Sequence, residues 1–103
     1  MPLYENGPNC IINDGNVQPN TILDTGINAA AVGQLWGVDV NSGYQGMYLV
    51  GKGTILLVAA DSHLSLIKNT ANKINIYFES GALKIQNKLG STRYLYVKFE
   101  GLI

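Results

Sequence analysis

Lys73-Ile-Asn-Ile-Tyr-Phe-Glu79, Ala82-Leu-Lys-Ile-Gln-Asn87 and Thr92-Arg-Tyr-Leu-Tyr-Val-Lys-Phe99 are the segments whose reading decides the fold. Short turns at Ser80-Gly81 and Lys88-Leu-Gly-Ser91 separate them. Ile74, Ile76 and Phe78 share one face of the first segment, Leu83 and Ile85 one face of the second, and Leu95, Val97 and Phe99 one face of the third. Apolar positions that recur every second residue exclude a helix, where they recur every three or four. With Gly-containing turns between them, the segments predict three consecutive antiparallel strands, a β-meander. The opposite parity carries Lys73, Asn75, Tyr77, Glu79, Lys84, Gln86, Tyr94, Tyr96, Lys98 and Glu100. That face is polar, yet it holds three tyrosines.

Outward from the meander, Thr54-Ile-Leu-Leu-Val-Ala-Ala60 is continuously apolar, the pattern of a central strand covered on both faces. Gly51-Lys52-Gly53 reverses the chain between it and Gly46-Met-Tyr-Leu-Val50. Asn41-Ser-Gly43 is a further turn, Val38-Asp-Val40 opens a strand, and Thr21-Ile-Leu-Asp-Thr25 reads as a first short strand. The Ala-rich passage from Asn28 to Trp36 is the one place where a helical turn could start, although Gly33 and the short length oppose it. Asp61-Ser-His-Leu-Ser65 and the polar residues 68–72 frame a loop around Leu66-Ile67, and Gly101-Leu-Ile103 extends the last strand or docks in a partner. Six or seven short strands predict an all-β chain, folded as a compact antiparallel β-sandwich or jelly-roll-like domain over residues 21–103.

Residues 1–20 read differently. They hold all three prolines, five asparagines and only isolated apolar residues, which predicts an extended arm. Leu3, Tyr4, Ile11 and Ile12 are its expected contact residues, laid on its own domain or on a neighbouring subunit.

Composition narrows the function. A chain of 103 residues has room for one domain and one core. Its seven basic and seven acidic residues cancel, so it lacks the basic excess of a nucleic-acid binder or of a polybasic membrane patch. Charged residues are 14% of the chain, below the roughly 25% of ordinary soluble domains. Little repulsion then opposes association, and a homo-oligomer is expected. The single cysteine, Cys10, excludes a disulfide-stapled scaffold and reads as a half-buried thiol. Met-Pro-Leu-Tyr-Glu has neither the basic nor the apolar region of a signal peptide, and no apolar run reaches the length of a membrane helix.

Catalytic and metal-binding signatures are not expected. His63 is the only histidine, and no Cys or His pair has ligand spacing. Asp61-Ser62-His63 places three triad residue types side by side, whereas a working triad converges from separate elements. Gly51-Lys52-Gly53 lacks the remaining residues of a phosphate loop, and Asp14-Gly15-Asn16 lacks the alternating acids of a calcium loop. No cofactor and no enzymatic activity are expected. Tyr77, Tyr94 and Tyr96 leave three readings open: cross-strand pairing, a subunit interface, or stacking on a sugar ring.

Ser42-Gly-Tyr-Gln-Gly-Met-Tyr-Leu-Val50 and Gly81-Ala-Leu-Lys-Ile-Gln-Asn-Lys-Leu-Gly-Ser-Thr92 resemble small β-structured virion proteins of tailed bacteriophages and prophages, of the fibre-head and capsid-decoration types. The likeness runs from about Trp36 to the C-terminus and rests on structural motifs, so it transfers no functional residue. It implies an oligomeric, commonly trimeric, protein on a virus particle, made in the bacterial cytoplasm. A chain beginning at Met1 and too short for a fibre shaft favours capsid decoration, with the major capsid protein as partner. The alternative is a trimeric receptor- or carbohydrate-binding module that presents its tyrosines to host-surface glycan.

Overall fold

The computed structural model describes residues 10–101, which form nine strands and no helix. The strands are β1 (Cys10–Val17), β2 (Ile22–Asn28), β3 (Val32–Asp39), β4 (Tyr44–Gly51), β5 (Thr54–Ala60), β6 (Leu64–Ser65), β7 (Ile74–Glu79), β8 (Ala82–Asn87) and β9 (Arg93–Gly101). They build a five-stranded sheet, β1-β9-β3-β4-β5, and a four-stranded sheet, β2-β8-β7-β6. Every pairing is antiparallel except β6 with β7. The sheets share one apolar cluster: Val17, Leu35, Tyr48, Val50, Leu95, Val97 and Phe99 from the first, and Ile27, Ile74, Ile76, Leu83 and Ile85 from the second.

The β7–β8 hairpin forms as its alternation predicts, closed by Ser80 and Gly81 at positive φ. That is the two-residue reversal whose twist matches the flanking strands. The third segment departs from the expected meander. β9 does not pair with β8; it crosses to the other sheet and lies between β1 and β3. Period two specifies which side chains face the core, and a core between two sheets accepts them from either side. Fully buried Asn87 fixes the crossing: its Nδ2 donates to the carbonyls of Val17 and Ser91, and its Oδ1 accepts from the Leu89 amide.

Two other expectations are corrected by the strand order, and the reading against a helix in the Ala-rich passage holds. The apolar run Thr54–Ala60 is β5, an edge strand and not a central one. The reversal at Lys52-Gly53 delivers it to β4, and the sheet ends there. The Ala-rich passage forms no helical turn, because the Asn28 side chain accepts from the Ala30 amide and the chain passes directly into β3. The segment expected to be an arm enters the sheet at Cys10. β1 pairs with β9 from Cys10↔Phe99 to Val17↔Arg93, and Val17 belongs to the core. Leu3 and Tyr4 lie outside the described residues.

One core residue carries an unused polar atom. Tyr48 is fully buried, its hydroxyl has no partner among the described residues, and burial pushes the phenol's pKa well above its ordinary value. Gly46 makes room for it, since a Cβ there would stand 2.5 Å from the Tyr48 hydroxyl oxygen. Tyr48→Phe deletes an unpaired group and leaves the ring, so unfolding in urea is expected to show a change under about 1 kcal/mol, or a gain. A loss above about 2 kcal/mol would mean that the hydroxyl holds a partner, such as a buried water.

Candidate interaction surface

The two outward faces of the molecule are unlike. Outside the four-stranded sheet, the loop over residues 66–72 lies across β7 and β8. The Asn69 amide donates to Gln86 Oε1, Gln86 Nε2 donates to Asn69 Oδ1, and Asn75 Nδ2 donates to both the Thr70 carbonyl and Gln86 Oε1. Asn75 and Gln86 have the outward parity read from the sequence, yet both are buried. Tyr77 shares their fate at 7% exposure, with no partner for its hydroxyl among the described residues and Lys68 Nζ 5.9 Å from the ring centre. Burial raises the pKa of its phenol. Lys68 and Glu79 pair at 2.6 Å, which raises the lysine's pKa, but the pair is exposed and adds little.

Outside the five-stranded sheet no such loop is found among the described residues. Register places Lys98, Trp36, Met47 and Ala59 in one row across β9, β3, β4 and β5, and Glu100, Gln34, Leu49 and Leu56 in the next. Tyr96 meets Trp36 edge-on with ring centres 5.9 Å apart. Tyr94 donates its hydroxyl to Asp14 on β1, and this bond raises the phenol's pKa. Ile11 also lies on β1, opposite Lys98, and is 56% exposed, while Ile12 packs partly against the core.

The three tyrosines read as one face therefore stand on opposite sides of the molecule. Tyr94 and Tyr96 remain half-buried on the five-stranded sheet, and Tyr77 is sealed under the loop on the other. Crossing of β9 between sheets is the cause. Open sugar stacking by all three is not what this arrangement offers.

Apolar exposure concentrates instead on β5 and its neighbour. Leu56 is 63% exposed, Val58 51%, Leu49 46% and Leu57 43%. Leu49 and Leu56 stand directly opposite each other, and Val58 is the extra residue where the β4–β5 register shifts. Leu57 opposes buried Tyr48, so it has inward parity, but the short β6 leaves it uncovered. β5 contains no charge and no proline to discourage pairing. These residues were missed as surface because their continuous apolar run reads as a covered strand; the run itself was the signal.

The end of β5 carries the remaining polar cluster. His63 Nδ1 lies 2.7 Å from Asp61 Oδ1, and the Asp61 carboxylate also accepts from the His63 amide. These bonds hold the Asp61 pKa below the usual value, so any stability from them is present above that value and is lost as pH falls through the lowered one. The His63 ring stacks on Tyr44, with centres 3.8 Å apart. Among the described residues no group of three or more acidic, His or Cys side chains could hold a metal ion. Asp39, the one buried charged residue among those described, is tied up structurally: it accepts from Ser42 Oγ and the Asn41 amide and faces Arg93 at 3.4 Å. No helix among the described residues is long and apolar enough to cross a membrane.

Compared with known proteins, the chain matches no family model, no curated protein and no solved structure.

Proposed function

We propose that this protein is a non-enzymatic structural module that works by assembling into a larger particle. The observation that carries the reading is the uncovered apolar strip of Leu49, Leu56, Leu57 and Val58 at one sheet edge. Exposed apolar surface gathered in one place, in a chain of zero net charge, favours association by roughly 25 cal/mol per Å² removed from water. The two sheets are read as a β-sandwich of the jelly-roll kind. On the sequence resemblance, the particle is the virion of a tailed bacteriophage or prophage, and the role is capsid decoration beside the major capsid protein. Residues 1–9, with Leu3 and Tyr4, would add contacts to neighbouring subunits.

Light scattering on the full chain at micromolar concentration is expected to give a discrete multiple of 11.1 kDa. A monomer throughout that range would overturn the assembly reading. The virion setting is tested by looking for the protein in purified phage particles from the source organism; its absence there would remove that setting alone. The half-buried Trp36–Tyr96 pair keeps one competing reading alive, glycan binding on the five-stranded sheet. A glycan array positive for the native chain and negative for Tyr96→Ala would favour it.

A further inference from the structure

Resting on that assembly reading, we propose that β5 pairs antiparallel with β5 of a second copy about a two-fold axis at Leu56. The two five-stranded sheets then become one sheet of ten strands, with β5 at its centre.

Main-chain parity supports this register. The two-residue reversal at Lys52-Gly53 makes Gly51 and Thr54 a hydrogen-bonded pair of the ladder. Alternation then turns the backbone groups of Ile55 and Leu57 away from β4, toward the open edge. An antiparallel pair with its two-fold perpendicular to the sheet sets one residue opposite its own copy. With Leu56 in that place, Ile55 of each copy faces Leu57 of the other, and their free N–H and C=O groups exchange hydrogen bonds.

Side chains agree on both faces. Leu56 meets its own copy at a non-hydrogen-bonded position, where side chains approach most closely. Since Leu49 stands opposite Leu56, the outer face gains a continuous row of four leucines, two from each copy. On the inner face, Leu57 meets Ile55 of the other copy. Charges agree as well. Lys52 precedes the strand and Asp61 follows it, so antiparallel pairing brings opposite signs together at both ends. The extra residue Val58 confines regular pairing to about Thr54–Val58, short enough to need the leucine row for its stability. A two-fold pairing also uses up the apolar edge, which gives a closed pair and not the trimer implied by the resemblance. The occupant is a second copy because one strand supplies both halves of the match.

The test uses the full chain. The native protein is expected to show twice the 11.1 kDa chain mass, and Leu56→Arg, which sets like charges opposite each other on an exposed site, the single-chain mass with unchanged circular dichroism. In a Cys10→Ser background, Leu56→Cys is expected to form a disulfide-linked dimer with diamide. Leu49→Cys, one strand further in and about 14 Å from its copy at the usual strand spacing, is expected not to. An assembled native protein whose Leu56→Cys form fails to cross-link overturns this inference and leaves the assembly reading standing. A native monomer overturns both. Should Leu56→Arg fail to fold, the cross-link alone decides.

Discussion

Phe99→Ala is expected to cost about 3–5 kcal/mol, the range for removing a fully buried aromatic ring. Phe99 has no exposed surface and is the seventh of the nine residues of β9, the longest strand among the described residues. It stands opposite Leu35 on one side and Cys10 on the other, so its ring joins three strands of the five-stranded sheet. Deleting it opens a cavity bounded by backbone that cannot close in, because β9 is hydrogen-bonded on both edges. Chemical denaturation should show the midpoint falling with the slope unchanged. A loss below about 1.5 kcal/mol would mean that the surrounding side chains refill the space, and that β9 is less central than its position suggests.

Gly33→Ala is the second large effect, expected at about 3 kcal/mol, the upper end for overpacking a filled site. A Cβ on Gly33 would lie 2.7 Å from Phe99 Cζ and 2.9 Å from the Gly101 Cα, and would press hardest on the Glu100 carbonyl oxygen. The ring could turn aside, but the carbonyl and the Cα belong to the paired strand. The Phe99→Ala/Gly33→Ala double variant should therefore lose nearly the sum of the two effects. A double variant about as stable as Phe99→Ala alone would show that the ring, and not the backbone, is what excludes the methyl. In the sequence Gly33 opposes a helix, and the chain forms a strand there. Its stronger role is to let β3 lie close against β9.

Local pattern in this chain announced strands well and neighbours poorly. The alternation in Ile74–Glu79, Ala82–Asn87 and Arg93–Gly101 reports which side chains turn inward, and the structure agrees on Ile74, Ile76, Leu83, Ile85, Leu95, Val97 and Phe99. The same alternation is silent on whether β9 continues the sheet of β8. That choice depends on Asn87, whose amide binds carbonyls 70 residues back and 4 residues ahead, and no periodicity encodes such a contact. The tyrosines failed as a set for this reason: outward parity on two different sheets is not one surface. β5 was misplaced by an inference that is sound in a single chain, that continuous apolarity means cover on both sides. In the dimer proposed above β5 does become a central strand, but its outer face is extended by the second copy and not covered by it.

The loop over residues 66–72 closes one side of the molecule with the side-chain amides of Asn69, Asn75 and Gln86. Amides carry no charge and do not titrate, so this closure depends little on acidity or salt, the exposed Lys68–Glu79 pair adding little to it. Contacts made by the opposite sheet, with Asp14, Lys98 and Glu100 near its surface, are not protected in this way. In the assembly proposed above, a change of acidity or salt would then act on the charged groups of the five-stranded sheet before it acts on the fold of each unit, and would leave the leucine contacts at β5 in place.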